Sequence, residues 1–208
     1  MKIILASQSP RRKFLMEQMG LKFDTIPSNF EEYFDETRDV MDVVKELGLG
    51  KAEDVAKDHP DAIVIGSDLI VVIDDQQIGK PESEQGAKDL LRRLSGRSHK
   101  LVVSVAVVCK DKDYSRVETA ESTVTFKELS DEFIDEYVAT GTTYDKAGGY
   151  AIQHPLMRPN IAKIEGRMDA IIGMPTDLLA DMLCELDIDC QALDVNDPAL
   201  VHAAGFID

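Results

Sequence analysis

The sequence predicts an α/β protein: a mixed sheet with flanking helices, split into two lobes around a central cleft. Strand-like apolar runs alternate with helical patterns along the chain, the arrangement that builds a sheet covered by helices. One run, 62–73, is apolar on both alternating faces, as a central strand covered on each side must be. A second apolar run, 101–108, turns through Asp111-Lys112-Asp113 into an alternating strand at 114–126, a long hairpin that adds antiparallel pairing.

The first element is the apolar run Ile3-Ile4-Leu5-Ala6, short enough to be a buried strand. Ser9 then stands as an N-cap and Pro10 at the first helical position, where its missing N–H costs nothing. Phe14, Leu15 and Met19 give the helix an apolar side, and Gly20 suits its end. Arg11 and Arg12 oppose the helix dipole at about 0.3–1 kcal/mol each. That placement makes sense where an anion sits, because free N–H groups, the Ser7 and Ser9 hydroxyls and two guanidiniums form a phosphate cradle. Pairing with surface carboxylates is the plainer reading of the same arginines.

Residues 23–27 read as a strand and Ser28 to Glu32 as a polar loop. From 42 to 57 the pattern is helical, with Val44, Leu47 and Val55 on one stripe. Lys51 falls on that inward face, where an ammonium must snorkel out or meet an anion. Gly48 and Gly50 each weaken a helix by roughly 1 kcal/mol and are expected to mark a break before a shorter second helix. Asp68 lies mid-strand on the face of Val64, Ile70 and Val72, so its carboxylate needs a cation, a metal or a catalytic water. The alternative is a capping role at a chain break after Gly66-Ser67.

Asp74 to Gln77 turns the chain back through Ile78 into Gly79-Lys80-Pro81, a rigid setting for an ammonium aimed at a polyphosphate. Ser83 caps a helix running to Ser95, with Ala87, Leu90, Leu91 and Leu94 inward and Gly96 beyond its end. Ser130 caps a further helix, 131–139, closed by Gly141. In the stretch from Tyr144 to Gln153 the glycines permit close backbone approach, while aromatic and amide groups suit base recognition. A strand follows at 161–165, then Thr176 as the expected N-cap of a helix at 177–186.

The totals bound the function. A chain of 208 residues with 44% hydrophobic content is long enough for one proper core. It is read as a single two-lobed domain, 1–188, with an acidic tail, 189–208, open to extending a helix, covering an edge or helping a homodimer. The longest apolar run is interrupted by Gly66, Ser67 and Asp68 and falls short of a membrane span. The N-terminus lacks a signal-peptide layout. Cys109, Cys184 and Cys190 lack ligand spacing, so reduced thiols and a cytoplasmic setting are expected. A net charge of −16 excludes a nucleic acid polymer or an anionic membrane as partner, but not a small nucleotide met by locally converging cations.

The run from Leu5 to Leu15, LASQSPRRKFL, resembles the signature opening of the Maf family of nucleoside triphosphate pyrophosphatases. Glu31-Glu32, Lys51-Ala52, Gly66-Ser67-Asp68, Gly79-Lys80-Pro81, Leu94 to His99, Asp145 to Gln153 and Ile171 to Pro175 resemble further family elements, out to about Leu183. The resemblance implies a fold like that of Maf and inosine-triphosphate pyrophosphatases, with nucleotide between the lobes. The implied reaction is hydrolysis of a nucleoside triphosphate to the monophosphate and pyrophosphate. It also implies Asp68, Lys80 and Glu32 as the catalytic set, with Asp68 and Glu32 holding Mg²⁺ (Mn²⁺ able to replace it) or activating the water. Ser7, Arg11, Arg12, Lys51, Lys146 and Gln153 would hold substrate, and Asp145 would be a second carboxylate. No Cys/His cluster suggests zinc.

Departures from the family pattern leave details open. Glu31 competes with Glu32 for the acidic position, and Asp35-Glu36 lies close by; His154 stands where glycine is usual, followed by Pro155. Thr176 replaces the usual leucine, and His99 is left out of the site because a satisfied histidine at a strand start explains it as well as catalysis does. Gly166-Arg167 resembles the branch acting on 7-methyl-GTP, whereas the stretch from Asp145 to Tyr150 resembles the branch acting on dTTP and UTP. The rival functions are an inosine/xanthosine triphosphate pyrophosphatase and a non-catalytic nucleotide-binding module.

Overall fold

The computed structural model describes residues 1–189 apart from 34, 36 and 145, together with Leu193. Strands β1 (Ile3–Leu5), β2 (Asp24–Thr25), β3 (Ile63–Ile73), β4 (Gln76–Ile78), β5 (Ser98–Cys109), β6 (Tyr114–Phe126) and β7 (Ile161–Glu165) form one seven-stranded sheet. Its order is β2-β1-β3-β5-β6-β7, with β4 beside β3. β1 runs parallel to β2 and β3, and the other pairs are antiparallel, so the sheet is mixed as the sequence predicts. The strand expected at 23–27 shortens to β2. Ile26 still donates to the Leu5 carbonyl, but Pro27 has no N–H with which to extend the ladder.

β3 fixes where the site lies. On one side it pairs with β5 without interruption from Val64 to Val72. On the other side β1 takes Ile3↔Ile63 to Leu5↔Ile65 and β4 takes Val71↔Ile78 to Ile73↔Gln76. The stretch 66–70 therefore has no strand partner on that side, and Asp68 sits in the gap. The turn from β3 to β4 is tighter than expected: Asp74 and Asp75 both take positive φ, 54° and 57°, the geometry of a two-residue hairpin that matches strand twist.

Helices α1 (Pro10–Gln18), α2 (Val40–Ala56), α3 (Glu84–Leu94), α4 (Asp131–Ala139), α5 (Met168–Ile172) and α6 (Thr176–Glu185) cover the sheet. Ser9, Ser83 and Ser130 cap α1, α3 and α4 as their positions predict, and Asp39 caps α2. One face carries Val64, Ile70, Val72 and Val102 under α2. The opposite face is divided: Ile63, Ile65, Val105 and Val107 pack with α1 and α6, while Val71, Ile73 and Leu101 pack with α3 and α4. The two lobes are thus two helical clusters on one face of a continuous sheet.

Three expectations are corrected. α2 is unbroken through Gly48 and Gly50, because these glycines serve close packing. A Cβ on Gly48 would meet Ser104 Oγ at 2.3 Å, and one on Gly66 of β3 would meet the Gly48 carbonyl oxygen at 2.2 Å. Helix and strand backbones approach each other where neither carries a side chain. Thr176 is the first residue of α6 rather than its cap. Its N–H and hydroxyl donate to Asp169 Oδ2 at 2.9 and 2.6 Å, so Asp169 of α5 does the capping. Cys109 is a buried free thiol, whereas Cys184 is disulfide-bonded, against the expectation of reduced cysteines.

Candidate active site

A cavity of about 530 Å³ opens beside the gap in β3. It is walled by the β1–α1 turn, the loop at 27–32, α2, β3, Lys80 after β4, the loop at 146–153 and the segment 171–173. All nine sequence-predicted site residues lie on its wall: Ser7, Arg11, Arg12, Glu32, Lys51, Asp68, Lys80, Lys146 and Gln153. Five are cations and two are carboxylates, so the described wall is cationic in a chain of net charge −16. Asp145 lies outside the described residues, as does the tail beyond residue 189 apart from Leu193.

The β1–α1 turn is the predicted cradle. Ser7 Oγ accepts from the Ser9 N–H at 3.1 Å and from Arg12 Nη1 at 3.2 Å, and Ser9 Oγ accepts from the Arg12 N–H at 3.5 Å. Arg12 Nε donates to the Gly173 carbonyl at 3.1 Å, and its Nη2 lies 3.9 Å from Asp68 Oδ1. Burial lowers the guanidinium's pKa from its ordinary value, and the Asp68 charge opposes that. The arginine is aimed by a backbone carbonyl on one side and a hydroxyl on the other.

Lys51 answers the question its position posed. Buried on α2, it donates to Glu32 Oε1 at 2.7 Å and to Asp68 Oδ1 at 2.8 Å. Lys80 Nζ reaches the other Glu32 oxygen at 3.2 Å. Partial burial by itself would raise the Glu32 carboxyl, but the hydrogen bond and charge of Lys51, then those of Lys80, outweigh it and hold the group down at about 2. Glu32, not Glu31, stands on the cavity wall, which settles their placement. The chain-break alternative for Asp68 falls, since β3 is continuous through it and its N–H meets Ser104 Oγ at 3.3 Å.

The remaining wall is less polar. Phe30, Leu69, Leu101, Tyr150, Ile152 and Ile171 line it beside Gln153, whose Nε2 is buried with no hydrogen-bond partner among the described residues. Lys146 Nζ donates to the Thr142 carbonyl at 2.8 Å. Arg167, by contrast, pairs with Asp169 Oδ2 at 2.7 Å and Asp177 Oδ2 at 3.3 Å and is absent from the wall.

Sequence reasoning gave no role to two groups. The Gly173 carbonyl accepts from both Arg12 and Ser67, and main-chain groups carry no residue-type signal. Phe30 shapes the wall, yet reads as one aromatic in a polar loop. Among the described residues no group of three or more His, Cys, Asp or Glu converges; Glu32 and Asp68 are the carboxylates on the cavity wall, and both accept from Lys51.

The profile of the Maf family, described as "Maf-like protein", matches residues 2–186. The chain belongs to the Maf family. A relative from Bacillus cereus strain AH820, named dTTP/UTP pyrophosphatase, is 42% identical over 188 residues, covering 90% of this chain and 97% of the relative. Another of that name, from Clostridioides difficile strain 630, is 37% identical over 185 residues, covering 88% and 94%. A solved dITP/XTP pyrophosphatase from Mycobacterium abscessus overlaps 62% of this chain and 76% of its own at 16% identity and a TM-score of 0.39. That overlap carries no argument; membership of the Maf family rests on the match over residues 2–186 and on the relatives.

Proposed function

We propose that this Maf protein hydrolyses pyrimidine nucleoside triphosphates, dTTP and UTP, to the monophosphate and pyrophosphate. The observation that carries the reading is a cationic cavity with a carboxylate pair at its centre, in a chain whose relatives bear that enzyme name. Ser7, Arg11, Arg12 and the N-terminus of α1 bind phosphate oxygens. Lys51 and Lys80 leave their carboxylates for the charge that grows as the anhydride breaks. Water attacks a phosphoryl group of the α–β anhydride, the bridging P–O bond breaks, pyrophosphate leaves, and Asp68 takes the water's proton.

Glu32 and Asp68, whose oxygens converge on one ammonium, would hold a hard divalent cation, Mg²⁺ with Mn²⁺ able to replace it, since such ions take one or two carboxylates plus substrate phosphates. When bound, the ion supplies Lewis-acid charge neutralisation and lowers the pKa of water. Arg167, the residue that pointed to 7-methyl-GTP, is engaged with Asp169 and Asp177 away from the cavity, which favours the pyrimidine branch. A cytoplasmic site of action, where nucleotide pools lie, is part of this proposal.

Pyrophosphate release is to be measured against a panel of nucleoside triphosphates with Mg²⁺, for wild type and Asp68→Asn. The expected result is preference for dTTP and UTP, with turnover lowered by roughly 10²–10⁴-fold in the variant, the usual weight of a general base. Preference for ITP or XTP would move the chain to the rival enzyme class. Binding without turnover of any triphosphate would leave a nucleotide-binding module.

A further inference from the structure

His99, at the second position of β5, is 2% exposed. Its Nε2 lies 2.6 Å from the Tyr150 hydroxyl, while Nδ1 is buried without a hydrogen-bond partner among the described residues. The imidazole also meets Phe126 and Tyr150 edge to face, with ring centroids at 4.9 and 5.3 Å. Burial lowers its pKa to about 4, so at neutral pH the ring is uncharged. An unpartnered ring nitrogen in a core loses its water without gaining a bond in return. Stability alone would be served better by an apolar ring here, and a local rule broken in a core points to a task beyond packing.

Tyr150 shows what that task is. Its ring is on the cavity wall, and it closes a loop that has two consecutive glycines at positive φ, Gly148 at 75° and Gly149 at 70°. A backbone with so many conformations open to it needs pins. Bonds that tie it to neighbouring elements include Gly148 N–H to the Gly79 carbonyl at 3.2 Å, Ala151 N–H to the Tyr137 hydroxyl at 2.9 Å, and the Tyr150 hydroxyl on His99. Lys146 and Gln153 stand at the two ends of this pinned segment, and Gly79 precedes Lys80.

We propose that His99 is a positioning residue: its bond to the Tyr150 hydroxyl fixes the loop that presents Gln153 and Lys146 to the nucleoside part of the substrate. This rests on the pyrophosphatase reading, and it concerns binding of the nucleoside rather than the phosphates. Ser7, Arg12 and Lys51 belong to the β1–α1 turn, α1 and α2, elements other than the loop that line the same cavity.

The test uses the full chain with His99→Phe, Tyr150→Phe, the double variant, and His99→Gln, which keeps a polar group at that position. Calorimetry reads affinity for inorganic pyrophosphate and for a UTP analogue with an imido group bridging the α and β phosphates. Steady-state kinetics reads KM and kcat for dTTP and UTP. Each single variant is expected to weaken the analogue about tenfold and to raise KM similarly, the size of one lost buried hydrogen bond. Pyrophosphate affinity and kcat should stay within about twofold, the double variant should be no worse than either single, and His99→Gln should recover part of the loss.

Unchanged analogue affinity in folded His99→Phe or Tyr150→Phe overturns the proposal, and so does equal weakening of pyrophosphate and analogue, which marks general loosening. If His99→Phe fails to fold, Tyr150→Phe tests the same bond from the loop side. Wild type that turns over no triphosphate yet binds the analogue would refute the enzyme reading and leave the positioning result legible.

Discussion

Lys51→Met removes one ammonium and keeps the aliphatic stem, so its effect isolates the charge between Glu32 and Asp68. In the folded protein the Glu32 carboxyl is held at about 2 against an ordinary 4.5. At about 1.36 kcal/mol per pKa unit, that difference corresponds to roughly 3.4 kcal/mol of pH-dependent stability. Glu32 is 41% exposed at its side chain and keeps Lys80, so solvent screening and the second lysine reduce the part that Lys51 controls to about 1–2 kcal/mol. The sign is that of a depressed carboxyl. The stabilisation is present above the unfolded value near 4.5 and is lost as pH falls through about 2.

Urea unfolding between pH 2 and pH 7 should therefore show wild-type stability falling over the window from 4.5 to 2. Lys51→Met should be less stable at pH 7 by about 1–2 kcal/mol, with a shallower acid fall because Glu32 then titrates nearer its ordinary value. Parallel curves for the two proteins would refute the inference that this lysine holds the carboxylate ionised.

Gly66→Ala places a Cβ 2.2 Å from the Gly48 carbonyl oxygen and 2.7 Å from the Ala52 nitrogen, both backbone atoms, so α2 must move off β3. A loss of about 1–3 kcal/mol in urea is expected, together with weakened activity as Lys51 shifts from Asp68. Arg12→Lys keeps the charge but cannot reproduce the bonds to Gly173 and Ser7 from one planar fork. Calorimetry should show pyrophosphate affinity falling about tenfold with little change in melting temperature, the loss of roughly one charge-assisted bond.

Residues whose chemistry conflicts with their position were legible from sequence. Lys51 on an apolar stripe, Asp68 inside an apolar strand and two arginines in a first helical turn each demanded a partner, and the structure puts all four on one cavity wall, with Lys51 and Arg12 both at Asp68. The serine caps were legible because they act within three residues of themselves. Convergence itself was not, since it depends on β1 and β4 sharing one side of β3 and leaving its middle open. Gly48 and Gly66 were misread or passed over because a helix breaker and a site of close backbone approach are the same residue type. Asp169 looked like one more acid in an acidic chain, although it is 5% exposed and caps α6 across a turn. His99 was read as a satisfied histidine at a strand start, yet its Nδ1 has no partner among the described residues and its bond to Tyr150 joins residues 51 positions apart.

The open middle of β3 makes the ladder an alignment gauge for the chemistry. Asp68 faces α2 only in the register that pairs it with Ser104. A slip of one residue would turn it to the face of α1 and α6 and bring Ser67 or Leu69 toward Lys51. The same slip would exchange the apolar sets beneath both layers of helices, so the core rejects the odd-residue slips, which are the ones that turn the carboxylate away. Molecules that fold at all arrive with Asp68 correctly presented, and the active fraction of a preparation should equal its folded fraction.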